Sequence, residues 1–283
     1  MSIADKGLLV NITLSVWSGR KLDKQVSEEV DVAKSTRARA GNYNKNLFAG
    51  VDELDAVRRI SGEIRNWHHT QTLPWSDGGD RLLTMRNFKD YKDGLLQRQQ
   101  DFAAAVAAFC DRYPHLISAQ AFTMGRLFNR DEYPDAKDIA AKFDMQYTFS
   151  PVADVADWRV TADDDIRNEL DSQYRKVYDD RLTSVTKELW DRLHTCLQHM
   201  NERLTVSQGG EKKIFRDSLL DNAVELCGLL TKLNITNDPK LEEARKALES
   251  AVCNVDIKDL RKDVGARIEI TTQVNDILSR FEF

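Results

Sequence analysis

Basic and aromatic side chains alternate along residues 34–92, and this stretch carries the strongest signal of chemistry in the chain. It contains eleven Lys and Arg against seven Asp and Glu, a net charge of +4, whereas the whole chain has a formal net charge of −5. Cations bind phosphates, and rings set between them stack on bases, so this composition is typical of single-stranded nucleic-acid binding. The candidate contact residues are Arg58, Arg59, Arg65, Trp67, Trp75, Arg81, Arg86 and Lys89.

Arginine suits such a surface because its guanidinium group grips phosphate in a fork or stacks on a ring. Arg58, Arg59 and Arg65 fall on one predicted helix, and their removal is expected to weaken DNA binding and flatten its salt dependence. The same residues also admit a structural interpretation. In that case the charges form a solvated helix face, and rings such as Trp67 and Phe88 belong to the core.

Alternating apolar residues predict a half-buried strand over residues 8–17 and a second strand over residues 145–152. A short third strand is expected at residues 158–160. Two or three strands cannot fold alone, so this small antiparallel sheet must pack on helices or pair with another subunit.

Helical spacing over residues 51–69 and 88–113 places most of the basic stretch on two helices, joined by a loop at residues 72–84. In that loop Trp75 is a lid, a binding element or a plug into the core. A short helix is predicted over residues 135–143.

The second half of the chain has helical periodicity almost throughout. A helix of about 40 residues, roughly 60 Å long, begins near Asp163 with Thr161 or Asp163 as its cap. Gly209 and Gly210 end this pattern, and further helices are predicted over residues 211–233, 240–252 and 257–281. The fold class is therefore α+β, predominantly helical, with a small sheet followed by a C-terminal helical bundle or hairpin.

The sequence pattern changes near residue 160, from mixed strands and helices to continuous helical periodicity. This change divides the chain into an α+β domain at 1–160 and a helical bundle at 161–283, packed as one unit. A long helix needs a long apolar partner, so a homo-oligomer is expected.

Other chemistry is poorly represented. Of His194, Cys196 and His199, only the last two share a helix face, and no metal site is expected. The acidic run 163–165 fits helix capping better than a divalent-cation site. Nucleotide-binding, nucleophile-elbow and zinc-helix motifs are absent from the sequence, so no catalytic residue and no cofactor are predicted.

Four isolated cysteines predict free thiols in a reducing cytoplasm, and no apolar run reaches the length of a membrane span. The chain is accordingly expected to be cytoplasmic and without a membrane partner.

Several phrases resemble a family of phage proteins. They are 72–75 (TLPW) with 81–83 (RLL) downstream, 127–128 (LF) followed by 133–134 (YP), 215–218 (FRDS) and 233–239 (LNITNDP). The chain is similar, over most of its length, to phage single-stranded-DNA-binding cofactors of RNA polymerase. The resemblance implies a protein that binds unwound promoter DNA with a fold unlike the OB barrel, recruits the phage RNA polymerase and regulates transcription in the host cytoplasm.

Two hypotheses follow. The first is a non-enzymatic phage protein that binds single-stranded DNA through residues 34–92, with the helical half organising oligomers or partners. The alternative is a helical scaffold or adaptor that docks a protein machine such as a ring ATPase.

Overall fold

The computed structural model describes residues 5–152, 164–206, 214–253 and 255–281, with side chains throughout except in residues 164–171. The predicted fold class is confirmed, since helices dominate these residues and the strands are short. The strands are β1 (Gly7–Ser15), β2 (Arg20–Asp23), β3 (Tyr43–Asn46), β4 (Leu73–Pro74), β5 (Arg81–Thr84) and β6 (Asp144–Pro151). The helices are α1 (Lys24–Ala33), α2 (Asp52–Gln71), α3 (Phe88–Met124), α4 (Asp164–Leu204), α5 (Ser218–Leu233), α6 (Pro239–Val252), α7 (Ile257–Lys262) and α8 (Val264–Arg280).

The two strands expected from alternation are both present, as β1 and β6. They belong to a four-stranded sheet in the order β4-β5-β1-β6, while β2 and β3 pair separately. The prediction that residues 72–84 form a loop is wrong. These residues contain the antiparallel β4–β5 hairpin, with Leu73 opposite Leu82. Both leucines are fully buried, and these strands are too short to show an alternating pattern. The strand predicted at 158–160 lies outside the described residues.

The chain divides into two compact units. The first unit contains Met1–Asn11, His69–Tyr91 and Thr148–Phe283, and the second contains Ile12–His68 and Lys92–Tyr147. This grouping differs from a division near residue 160, because residues 69–91 group with the C-terminal helices.

A single apolar stripe on α4 organises the core of the first unit. Its buried residues recur at steps of three and four, so they form one face of the helix. They pack with buried residues of β4, β5, α5, α6 and α8 in one cluster. The prediction of a long helix is confirmed, at 41 residues. Its predicted cap, Thr161 or Asp163, lies outside the described residues. The stripe consists of Val185, Leu189, Leu193, Leu197, Met200 and Leu204.

Aromatic rings fill the core of the second unit. The Phe48 ring lies 5.3 Å from that of Tyr133 and 5.8 Å from that of Phe109, both edge-on. The Tyr133 hydroxyl donates to the Leu47 carbonyl at 2.8 Å, and the Tyr113 hydroxyl donates to the Pro134 carbonyl at 2.9 Å. Each buried hydroxyl therefore has an acceptor, which removes the cost of burying it.

The structure corrects the ends of several helices. Helix α3 continues through Pro114, although a proline removes one helical hydrogen bond, and the following Leu116 and Ile117 are buried. The predicted helix at 135–143 is wrong, because only a 3-10 turn forms there, at Ala140–Lys142.

The last predicted helix, 257–281, is two helices. Asp263 ends α7 and caps α8, with its carboxylate accepting from Gly265 N at 2.7 Å.

Of the predicted starts of α5 and α6, only that of α6 agrees with the structure. Helix α5 begins at Ser218 instead of residue 211, because the preceding Phe215 is buried in a non-helical segment. Residues 211–213, and with them Gly209 and Gly210, lie outside the described residues. Helix α6 starts as predicted, since the Asp238 carboxylate caps Lys240 N and Leu241 N ahead of Pro239.

None of the helices in the described part of the chain combines the length and apolar character that crossing a membrane requires.

Candidate nucleic-acid interface

The eight predicted contact residues are divided between the two units. Arg58, Arg59, Arg65 and Trp67 lie on the part of α2 that belongs to the second unit. Trp75, Arg81, Arg86 and Lys89 belong to the first unit.

Two of the three α2 arginines hold backbone carbonyls. Arg58 pairs with Asp55 at 2.7 Å and also donates to the Ser18 carbonyl. Arg65 donates to Ser61 Oγ at 2.7 Å and to the Leu14 carbonyl at 3.2 Å. These arginines are seven residues apart and share a helix face, so they tether α2 to residues 14–18.

Arg59 is the α2 arginine most open to solvent. Its side chain is 64% exposed and pairs with Glu63 at 2.7 Å, one helical turn further on. An exposed pair of this kind contributes little to stability, so Arg59 can exchange this partner for a phosphate at small cost.

Trp67 is half-buried under a cation. The guanidinium carbon of Arg98 lies 4.0 Å from the centre of the Trp67 ring. A Cβ placed on Gly94 would lie 2.7 Å from the same ring, so only glycine fits beside it. Arg98 therefore covers a ring face that a base would need for stacking.

Trp75 is only 6% exposed and fills the core of the first unit. Its ring lies 5.7 Å from that of Tyr178, edge-on, and 5.5 Å from the Arg181 guanidinium. Of the three interpretations of this residue, the plug into the core is the one that its burial matches.

Arg81 caps the C-terminal end of α2 together with Arg192 from α4. Arg81 donates to Thr72 Oγ1 at 2.7 Å and to the Thr72 carbonyl at 3.2 Å. Arg192 donates to the carbonyls of Thr70, His69 and Thr72 at 2.7, 2.8 and 2.9 Å. The last carbonyls of a helix lack intrahelical donors and carry partial negative charge, so two guanidinium groups stabilise this end.

This arrangement also lowers the pKa values of Arg81 and His69. Burial lowers the pKa of Arg81, and the positive charge of Arg192 lowers it further. Burial likewise lowers the pKa of His69, with Arg81 and Arg192 adding to the effect. The His69 ring is therefore uncharged at neutral pH.

Arg86 and Lys89 are exposed at the start of α3. Arg86 donates to Asn237 Oδ1 at 3.2 Å. Beside Lys89, the carboxylate of Asp90 bonds to Lys232 at 2.5 Å, and this bond lowers the pKa of Asp90. Arg86 and Lys89 therefore remain accessible to solvent within the first unit.

A continuous run of exposed residues in the basic stretch covers residues 34–44, which we call the basic loop. It contains Lys34, Arg37 and Arg39 and no acidic residue, and all eleven of its residues are exposed. Arg39 approaches Glu28 only at 3.9 Å, and the two side chains are 41% and 75% exposed. A loop with this composition presents positive charge that the protein itself barely neutralises.

Helix α1 holds the basic loop in a defined path. The loop leaves α1 through Ser35, which has a φ of 53°, a conformation uncommon outside glycine. Ala40 N donates to the Asp31 carboxylate at 3.2 Å, and Tyr43 N donates to Ser27 Oγ at 2.9 Å. The backbone is thereby anchored at two points, while the cationic side chains stay in solvent.

The loop ends at β3, which pairs with β2. Lys21 lies opposite Lys45 and Asp23 opposite Tyr43. Arg20 and Lys21 of β2 are exposed, so they extend the positive charge beside the loop. Tyr43 is 40% exposed and is the ring of this region most open to solvent.

Lys45 anchors this small sheet. Its side chain is 5% exposed, and its ammonium group lies 2.7 Å from Glu132, 3.1 Å from Asp23 and 3.0 Å from the Leu127 carbonyl. Burial opposes the charge on Lys45, but the bonds to Glu132 and Asp23 outweigh it and raise the lysine pKa. The pKa of Asp23 is lowered by the Val26 N–H and by Lys45.

The side chains considered for metal binding do not form a ligand cluster. Among the described residues, no three His, Cys, Asp or Glu side chains come together as metal ligands would. Burial raises the pKa of the Cys196 thiol to about 11, so it is protonated at neutral pH. The side chains of residues 163–165 lie outside the described part of the chain.

The predicted residues include four that are exposed, Arg59, Arg65, Arg86 and Lys89, but none from the basic loop. The missed signal was the run of eleven residues without an acid, which includes glycine and asparagine. The capping role of Arg192 had no local signal, because its partners lie 120 or more residues away.

Comparison of the chain with protein-family models, with curated proteins and with solved structures finds no match.

Proposed function

We propose that the protein binds single-stranded DNA through the basic loop, with Arg20 and Lys21 of β2 extending the surface. The observation that carries this proposal is the acid-free loop of eleven exposed residues, with three cations, inside an acidic protein. Cations that are already in solvent lose little hydration energy or internal pairing when they meet phosphates. Counterion release from the DNA then supplies most of the affinity.

A single strand is the better ligand for this surface than a duplex. The loop offers a short line of charges and one accessible ring, Tyr43, on which an unpaired base can stack. A duplex buries its bases and would leave that ring unused. The net charge of −5 also disfavours a broad coat on duplex DNA.

The resemblance to phage RNA polymerase cofactors supports a role in transcription. In that role the loop would hold the unwound promoter strand in the host cytoplasm while the polymerase is recruited. Homo-oligomers would place several basic loops on one strand and raise the avidity.

The test compares three triple variants with equal loss of charge. K34Q/R37Q/R39Q removes the loop cations, R58Q/R59Q/R65Q removes the α2 arginines, and K92Q/K137Q/K142Q removes exposed lysines elsewhere in the second unit. Each protein is titrated with fluorescent single- and double-stranded oligonucleotides across a salt series, after circular dichroism has established that it is folded.

The loop variant is expected to lose roughly tenfold or more in single-strand affinity, and its salt slope is expected to fall by about 2. The lysine control is expected to retain both. If the α2 variant loses affinity while the loop variant does not, the DNA contact lies on α2 and our assignment is wrong. Absence of salt-dependent binding by the unaltered protein would overturn the function itself.

A further inference from the structure

A groove runs between α4 and α5 within the first unit, and DNA binding makes no use of it. Two cavities form the groove, of about 750 and 540 Å³, and they share His199, Leu219 and Asn222. They extend along α4 from Glu188 to Arg203, a distance of roughly 22 Å at 1.5 Å per residue. This length matches about four turns of an α-helix.

The floor of the groove is apolar. Met200, Leu219 and Leu229 are buried in the core of the unit and line the cavity, and the partly buried Cys196 and Leu226 lie beside them. Because the Cys196 thiol is protonated, it behaves here as a small apolar group. An occupant of the groove therefore needs an apolar stripe.

The rim of the groove has opposite charges at its two ends. Asp191 and Glu225 are exposed in the lining of the larger cavity, which also includes Glu188. Arg203 and Arg216 are exposed at the other end. The cation nearest the acidic end, Arg192, is engaged by three backbone carbonyls and by Glu188, so it leaves Asp191 and Glu225 available.

His69 lies at the acidic end and contributes no positive charge at neutral pH. Burial and the two arginines that cap α2 lower its pKa. The acidic character of this end is thus preserved under ordinary conditions.

We infer that the α4–α5 groove docks an amphipathic helix of a partner protein, with acidic residues in its first turn and basic residues in its last. The acidic first turn would face Arg203 and Arg216, and the basic last turn would face Asp191 and Glu225. A helix favours acids at its N-terminus and bases at its C-terminus, so a partner with this charge pattern is also stable as a helix. Its full side-chain charges outweigh the partial charges of the helix ends and set the orientation in the groove. The inference takes up the adaptor alternative and does not depend on DNA binding.

Two synthetic peptides of about 18 residues test this inference, since that length forms about five helical turns. Both carry the same leucine stripe. One has glutamates in the first turn and lysines in the last, and the other has glutamine at all of these positions. Binding of each fluorescent peptide to the full chain is measured by anisotropy. We expect the first peptide to bind with a Kd on the order of 10–100 µM, and about fivefold more tightly than the second.

Variants of the chain separate docking from the intrinsic helicity of the peptides. N222W fills the groove from its exposed rim and is expected to abolish binding. V224W places the same ring on the opposite, exposed face of α5 and is expected to leave binding unchanged. D191K/E225K leaves cations at both ends of the groove and is expected to remove the preference between the peptides.

Several outcomes would overturn the inference. Equal binding of the two peptides, or an unchanged preference in D191K/E225K, would show that charge does not orient the occupant. No binding of either peptide up to about 1 mM would remove the helical partner altogether. If sedimentation shows a dimer that N222W dissociates, the groove belongs to a second copy of this chain.

Discussion

The arginines of the basic loop and the arginine that caps α2 come from the same basic stretch of sequence, yet their surroundings differ. Arg37 and Arg39 extend into solvent from a loop without acids. Arg81 is half-buried against the backbone carbonyls of residues 69 and 72. The comparison shows that a count of charges cannot separate cations that stay open to solvent from cations that bind the protein's own backbone. The partner of each guanidinium group decides between the two.

The largest effect expected from this comparison is on stability. R192M removes three hydrogen bonds from carbonyls at the end of α2, where the Arg192 side chain is only 17% exposed. Hydrogen bonds to a charged group each contribute about 1.5–3 kcal/mol, and we expect a loss of about 3 kcal/mol in the free energy of unfolding. Urea denaturation measures this value.

K187M, which removes an exposed lysine from the same helix, is the matched control and should change the free energy of unfolding by less than about 0.5 kcal/mol. A similarly small change in R192M would show that the hydrogen bonds from Arg192 do not stabilise the C-terminal end of α2.

The next effect concerns Lys45, the internal cation nearest the basic loop in sequence. K45M leaves Asp23 and Glu132 without their shared cation, and we expect a loss of about 2 kcal/mol in the free energy of unfolding. Because the pKa of folded Asp23 is lowered, its stabilising contribution is present above the unfolded pKa of 3.8 and is lost as the pH falls through the lower folded value.

The difference in stability between K45M and the unaltered protein should therefore narrow as the pH falls from about 6 to about 3. Because the pKa of Lys45 is raised, its contribution persists up to its unfolded pKa of 10.5 and is lost only above it. Denaturation at several pH values checks both limits. A difference that stays constant on acidification would show that the lysine acts by packing and not by charge.

The smallest expected effect concerns the contribution of Tyr43 to the proposed single-strand binding. Y43A should weaken single-strand binding by about fivefold, since one stacked base contributes about 1 kcal/mol at the low end of the usual range. Double-strand binding should not change, and Y43F should behave like the unaltered protein. Parallel titrations with both oligonucleotides measure the ratio. Equal weakening on the two ligands would indicate that Tyr43 supports the loop instead of stacking on a base.

The elements that sequence predicted well are those whose burial follows a regular period. The stripe from Val185 to Leu204 specifies α4, the alternation in β1 specifies a strand, and Asp238 with Pro239 marks the start of α6. Periodicity could not identify β4 and β5, which have two and four residues and are buried by partners distant in sequence.

The predicted end of α3 before Pro114 is wrong for a related reason. Its local cost to the helix is visible in sequence, whereas the packing of Leu116 and Ile117 that accompanies the continued helix is not.

The candidate site was predictable only in part. Sequence identified the stretch that contains the basic loop, but it favoured Arg58 and Arg65, which bind the carbonyls of Ser18 and Leu14. Such partners lie 40 and 51 residues away, and no local pattern records them. Trp67 and Trp75 are similar cases, because a ring in a basic stretch has the same sequence signature whether it faces a base or another side chain.

The division of the chain into interleaved segments determines the order in which the units become complete during synthesis. Every residue of the second unit precedes Thr148, whereas the first unit needs Met1–Asn11, His69–Tyr91 and the helices after Thr148. On a translating ribosome, the second unit can therefore fold while two segments of the first wait for α4 to be made. At about 5–20 residues per second, that wait lasts several seconds or more. No single cut separates the units, and a fragment that preserves the basic loop in its native setting must include residues 12–147.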